Sequence, residues 1–101
     1  KTLRVPKNVS LKDLGFRLQP PRRASQYCWA SDIKFDGRAA KAGVRDGDLL
    51  AMVNRKSAKL DSSQKVVKLL QSASRPMTLV FVHSNNIHQY REEHFRSSEY
   101  S

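Results

Sequence analysis

The sequence predicts an α+β domain in which strands dominate. Three observations carry that expectation: short stretches in which apolar residues alternate with period two, such as "TLRV" and "LGFRLQ"; one long helical stretch, "DSSQKVVKLLQSA"; and Pro, Gly and Asp clusters that punctuate the chain between them. At 101 residues the chain holds one such domain with a modest core.

In order, "TLRV" predicts a first strand with Leu3 and Val5 on one face, and Pro6 opens the loop after it. "LGFRLQ" predicts a second strand that puts Leu14, Phe16 and Leu18 on a common face, stopped by Pro20 and Pro21. "PPRRASQ" reads as a polar loop, and "YCWASDI" resumes strand character. "FDGRAAKAG" predicts a turn and one short helix closed by Gly43. "RDGDLLAMVN" gives a Gly-Asp turn and a strand carrying Leu50, Met52 or Val53 into the interior. In "DSSQKVVKLLQSA", Val66, Val67, Leu69 and Leu70 recur at helical spacing, Asp61, Ser62 or Ser63 caps the start, and Pro76 blocks continuation. "MTLVFV" is a last strand apolar enough for burial on both faces.

Composition narrows the function classes. The 19 Lys and Arg exceed 9 Asp and Glu, giving a net charge of +10, which attracts acidic peptides, anionic lipid headgroups or nucleic acid. The basic residues are scattered, as on a solvated basic surface. The longest apolar runs fall short of the roughly 20 residues that span a bilayer, and no signal-peptide pattern opens the chain. The expected setting is cytoplasmic, with the inner face of a membrane as its furthest reach. The single cysteine, Cys28, has no internal disulfide partner and is expected to be a small buried or half-buried side chain.

Catalytic and cofactor signatures are not found. His83, His88, His94 and Glu92 match no metal-ligand spacing, and there is no G-x-S-x-G, phosphate-cradling glycine loop or carboxylate pair. No cofactor, no metal and no enzymatic activity are expected. No nucleic acid partner is expected either, since "QKVVKLLQ" offers only Lys65 and Lys68 outside its apolar stripe and no interleaved aromatics.

Gly15, between Leu14 and Phe16, suits a backbone that curls and presents bare N–H groups to a ligand approaching closely, since it has no Cβ to obstruct. Such amide clusters form anion nests. The strand that follows is then an edge, to which an extended peptide adds as a further strand with its terminal carboxylate in the nest.

Over residues 2 to 82 the chain resembles the PDZ domain family. "DLGF", residues 13 to 16, resembles the family's GLGF carboxylate-binding loop; "DGRAAKAGVRDGDLLAMVN", residues 36 to 54, resembles the run from the first short helix through a Gly-Asp turn into a strand ending Val-Asn; "SSQKVVKLLQ" resembles the second helix. The resemblance implies a partly open five- to six-stranded β-sandwich or barrel capped by two helices, which binds the C-terminal tails of partner proteins in a groove between the second strand and the second helix. It implies that the backbone amides of Leu14, Gly15 and Phe16 hold the ligand carboxylate, and that Leu14, Phe16, Leu18, Val67 and Leu70 line a pocket for an apolar last residue such as Val, Leu, Ile or Phe.

Three positions depart from the family pattern. Asp13 replaces the first glycine of GLGF, so its carboxylate must point away from the nest, with Lys7 and Lys12 both candidates to offset it and support the ligand carboxylate. Ser63 stands where the commonest ligand class is read by a histidine; a serine hydroxyl is shorter and both donates and accepts, which leaves a Ser/Thr preference and an undemanding or apolar preference both open. Asn54-Arg55 replaces Asn-Gly at a turn where Asn54 can itself take the strained backbone position.

The sequence therefore describes a protein-interaction module, a scaffold or targeting element in signalling, monomeric by default. Its alternative is phosphoinositide or acidic membrane-surface binding through Arg17, Arg22, Arg23, Lys65 and Lys68. The domain is expected to span residues 1–83 and an extension residues 84–101. There Asn85 or Asn86 can cap a short amphipathic helix with Ile87, Tyr90, His94 and Phe95 on one side and Glu92 and Glu93 on the other; the alternative is a frayed tail. A helix of about ten residues is marginal in water, so it forms only by docking.

Overall fold

The computed structural model describes residues 1–22, 26–59 and 62–83. Its strands are β1 (Thr2–Val5), β2 (Arg17–Gln19), β3 (Trp29–Ser31), β4 (Leu49–Val53), β5 (Lys56–Ser57) and β6 (Met77–Val82); its α-helices are α1 (Arg38–Lys41) and α2 (Ser63–Ser72). One 3-10 turn, Leu11–Leu14, precedes β2. The strands form one sheet in the order β1-β6-β4-β3-β2, with β5 folded back onto β4. Every pairing is antiparallel, and the expected α+β class with mainly β structure and two helices is what forms.

Register builds the core. Leu3 faces Leu79 and Val5 faces Met77 across β1 and β6, while Leu50 faces Phe81 and Val53 faces Leu79 across β4 and β6. Paired residues in a ladder project to the same side, so these side chains form one apolar face, and all of them are buried. Each such burial contributes about 1.5–3 kcal/mol before the entropy of ordering is subtracted. Ala39 of α1 and Val66 and Leu70 of α2 enter the same cluster, which places both helices on this face of the sheet. Phe16 closes it with its ring edge-on to Phe81, centroids 5.4 Å apart. Cys28 is buried as expected.

Ser62 resolves the choice of cap: its hydroxyl accepts from the Lys65 N–H at 3.3 Å, satisfying a donor that the first turn of α2 leaves unpaired. Asn54 takes the strained turn position with φ +54°, and its side chain holds the turn to β6 by accepting from the Thr78 N–H at 2.9 Å. In the Gly47-Asp48 turn, the buried Asp48 carboxylate accepts from the Arg45 N–H at 2.9 Å and pairs with the Lys1 ammonium.

Three elements differ from the reading of the sequence. The second strand begins only at Arg17, because Leu14 belongs to the 3-10 turn; Leu14, Phe16 and Leu18 therefore do not share a strand face. In β4 the register shifts between Leu50 and Met52, so Leu50 and Val53 face the core where strict alternation would pair Leu50 with Met52. In β6 Met77, Leu79 and Phe81 are buried, whereas Thr78, Val80 and Val82 are half-buried. The extension expected over residues 84–101, including its candidate helix, His88, His94 and Glu92, lies outside the described residues. Among the described residues no helix is long and apolar enough to cross a membrane.

Candidate functional site

The loop before β2 is shaped by two local contacts. The Asp13 N–H donates to the Ser10 carbonyl at 3.1 Å, and the Ser10 hydroxyl donates to the Asp13 carboxylate at 3.1 Å. These bonds wind Leu11–Leu14 into a 3-10 turn and draw the Asp13 side chain back toward the start of that turn, which is how a carboxylate is accommodated where the family pattern has glycine. Gly15 then turns left-handed, φ 82° and ψ 32°. A helical residue followed by a left-handed one aims successive N–H groups into one concavity, the geometry of an anion nest. Leu14, Gly15 and Phe16 occupy this bend.

A second loop packs against the first. The Lys34 N–H donates to the Gly15 carbonyl at 2.9 Å, and a Cβ built on Gly15 would stand 3.1 Å from the Cα of Gly37. Glycine is thus needed at 15 for its conformation, and at both 15 and 37 for the close approach. Lys34 and Gly37 were not singled out from the sequence, because a contact between separate loops leaves no local pattern to read. A recess of about 370 Å3 opens beside the bend, lined by Lys12, Gly15, Phe16, Arg17, Asp32 and Lys34. Three cations against one carboxylate make it favourable for an anion. Of the two lysines considered for carboxylate support, Lys12 lines this recess; Lys7 is exposed in the loop after β1.

Downstream, β2 terminates the sheet order: it pairs with β3 on one side, and among the described residues no strand pairs with its other edge. Leu14 and Leu70 are buried in the core cluster, and Phe16 and Leu18 lie half-buried against it. Val67, one turn from Leu70, is 38% exposed. Ser63 opens α2, and because Ser62 serves as the cap, the Ser63 hydroxyl is not committed to that role. Ser63, Gln64, Val67, Lys68 and Gln71 line a shallow recess of about 340 Å3 along one side of α2. A larger recess, about 580 Å3, lies elsewhere, between the β4–β5 turn and the end of α2, with Asn54, Arg55, Lys56, Leu69 and Ala73 in its wall. It contains none of the site residues expected from the sequence.

Burial pushes the Cys28 thiol above its ordinary pKa, so it stays protonated, and no group of three or more His, Cys, Asp and Glu side chains is placed to hold a metal among the described residues. The arrangement is suited to holding an anion and an extended backbone.

No protein-family model matches the chain, and no curated protein sequence does. Solved structures do match. The second PDZ domain of Dlg1 from the choanoflagellate Monosiga brevicollis superposes with a TM-score of 0.65 at 21% identity, covering 83% of this chain and 98% of that one. A choanoflagellate SHANK1 PDZ domain, solved bound to a GIRK3 peptide, is 30% identical with a TM-score of 0.59 over 80% of this chain and 85% of that one. A choanoflagellate GIPC PDZ domain bound to a B1AR peptide gives a TM-score of 0.62 at 22% identity over 82% and 88% of the two chains.

Proposed function

The chain belongs to the PDZ family, and from that premise we propose that it binds the C-terminal tails of partner proteins by strand addition to the outer edge of β2. The observation that carries this reading is the conjunction of a sheet-terminating strand with a left-handed Gly15 directly before it. The tail's backbone continues the antiparallel ladder beyond β2, and its carboxylate rests on the amides of Leu14, Gly15 and Phe16, with Lys12 as the nearby cation. Its last side chain enters between Phe16, Leu18 and Val67, beside the buried Leu14 and Leu70. Those five apolar residues favour Val, Leu, Ile or Phe at the end of the ligand. Ser63 meets the ligand residue two before the end and sets the preference there. The solved SHANK1 and GIPC domains with bound peptides support the mode of use. The role is recognition rather than catalysis, as a cytoplasmic scaffold or targeting element, and interfaces of this small size give affinities near micromolar, about −8 kcal/mol.

The test is a screen of C-terminal peptide libraries, followed by titration of the best binder with its carboxylate free and amidated. Loss of most of the affinity on amidation is expected; equal affinity rejects the nest.

A second reading, contact with an anionic membrane surface, is favoured by one observation: Phe35 is 98% exposed beside the exposed Lys34, with the exposed Arg38 three residues on. An aromatic side chain held in water next to cations suits the headgroup boundary of a bilayer. Sedimentation with phosphatidylserine vesicles tests it. Binding that falls steeply with salt and weakens in Phe35→Ser supports this reading, whereas no binding above neutral vesicles rejects it.

A further inference from the structure

Side chains alternate along β2. Leu18 pairs with the buried Ala30 and packs on the core, so Arg17 and Gln19 project to the opposite face of the sheet. Arg17 pairs there with Ser31 and Gln19 with Trp29, and Trp29 begins the row Trp29–Leu49–Val82, which crosses β3, β4 and β6 on the side away from Leu50 and Phe81. The recess of about 370 Å3 beside the bend includes Arg17 in its wall, with Lys12, Asp32 and Lys34. All four side chains are exposed, and no carboxylate among the described residues forms an ion pair with Lys12, Arg17 or Lys34. The one acid in the wall is engaged elsewhere: Asp32 accepts from the Ser31 hydroxyl at 3.1 Å, and that hydroxyl accepts from the Gln19 amide at 2.7 Å. The recess therefore keeps an excess of positive charge.

We propose that this recess receives the side chain of the ligand's penultimate residue and selects Asp or Glu there. The inference rests on the proposed binding of a C-terminal tail along β2, and it names the class of tail that the domain takes. With the carboxylate on the amides of the bend, the last residue lies opposite Phe16 and the residue two before the end lies opposite Leu18, both on the side where α2 packs. An antiparallel strand in that register sets the penultimate residue opposite Arg17, and paired residues project to the same side. An acidic side chain there meets Arg17 across the ladder. It meets Lys34 from the loop after β3, which the bond from the Lys34 N–H to the Gly15 carbonyl holds against the bend. A lysine or arginine in its place meets like charge directly opposite, which is unfavourable. The residue three before the end lies opposite Gln19, whose amide is already bonded to Ser31, so the charge selection is confined to the penultimate place.

Three pools of fluorescein-labelled hexapeptides, random over their first four residues and ending Glu-Val, Gln-Val or Lys-Val, measure this selection by fluorescence anisotropy, with an amidated Glu-Val pool alongside. Exposed ion pairs contribute little singly, so with two or three cations the Glu-Val pool should bind about threefold tighter than the Gln-Val pool and about tenfold tighter than the Lys-Val pool, an order that fades at high salt. Arg17→Glu combined with Lys34→Glu should reverse the order. Arg55→Glu combined with Lys56→Glu, the same change of charge at the exposed β4–β5 turn, should preserve it. Equal affinity of the three free-carboxylate pools, or the parent order retained in the Arg17→Glu/Lys34→Glu chain, overturns the proposal, and loss of binding on amidation then leaves the groove itself standing. Binding of the Glu-Val pool that survives amidation removes the groove and the proposal with it.

Discussion

Three alanine substitutions separate what glycine does at the carboxylate loop. Gly43 has φ +89° and nothing within 4 Å of a built Cβ, so Gly43→Ala meets only the left-handed backbone penalty, about 1–2 kcal/mol. Gly37 has an ordinary φ of −77°, but its Cβ would stand 3.1 Å from the Cα of Gly15. Comfortable carbon contacts begin near 3.5 Å, so Gly37→Ala forces the two loops apart by a few tenths of an ångström without backbone strain. Gly15→Ala incurs both effects, and its destabilisation should approach the sum of the other two. For a domain of this size each kcal/mol lowers the melting temperature by about 4–8 °C, so melts followed by circular dichroism resolve the series. Peptide binding should divide it differently. Gly43→Ala should bind within about twofold of the parent, whereas Gly15→Ala and Gly37→Ala, which displace the amides of the bend, should weaken binding about tenfold or more, or 1.4 kcal/mol upward. Full affinity in Gly37→Ala, or equal losses in all three, would refute the role given to the packed pair of loops.

Val67→Asp should abolish peptide binding in fluorescence anisotropy while costing little stability, because Val67 is 38% exposed; Leu70→Asp should unfold the domain as well, since Leu70 is buried in the core, and binding unchanged in Val67→Asp removes α2 from the groove. Ser63→His should shift a peptide array toward ligands with Ser or Thr two residues from the end, and an unchanged ranking rejects Ser63 as the reader of that position. Burial holds the Cys28 thiol above its ordinary pKa, so the unfolded chain loses this proton first as pH rises. The contribution of Cys28 to stability should be constant up to the ordinary thiol range and decline beyond it, a decline absent in Cys28→Ala; rapid alkylation of the native protein at neutral pH contradicts its burial.

The elements legible in the sequence are those whose periodicity survives in the fold. Leu3 and Val5 in β1, and Val66 and Leu70 in α2, show their buried face in spacing alone. The bend at Gly15 was legible as a place needing glycine, but the 3-10 turn ahead of it was not: "LGFRLQ" alternates like a strand from Leu14 onward, whereas the Ser10–Asp13 hydrogen bonds wind Leu14 into the turn Leu11–Leu14. The bulge in β4 was hidden for the same reason, since a two-residue period gives no sign of where a ladder slips. The contact of Gly15 with Gly37 and the row Trp29–Leu49–Val82 arise from segments far apart in the chain. Register and loop packing decide them, and no single segment encodes either.

Amide chemical shifts followed by two-dimensional NMR, as a bound peptide is titrated with its carboxylate free and then amidated, locate the ligand residue by residue. With the free carboxylate, the amides of Gly15 and Phe16 should move downfield, as charge-assisted hydrogen bonds require, together with those of Arg17–Gln19 along the edge of β2. Amidation should remove the first set of shifts and most of the affinity. Shifts confined to the β4–β5 turn and the end of α2, or a response at Gly15 that is the same for both peptides, contradict recognition of a C-terminal tail by this loop and strand.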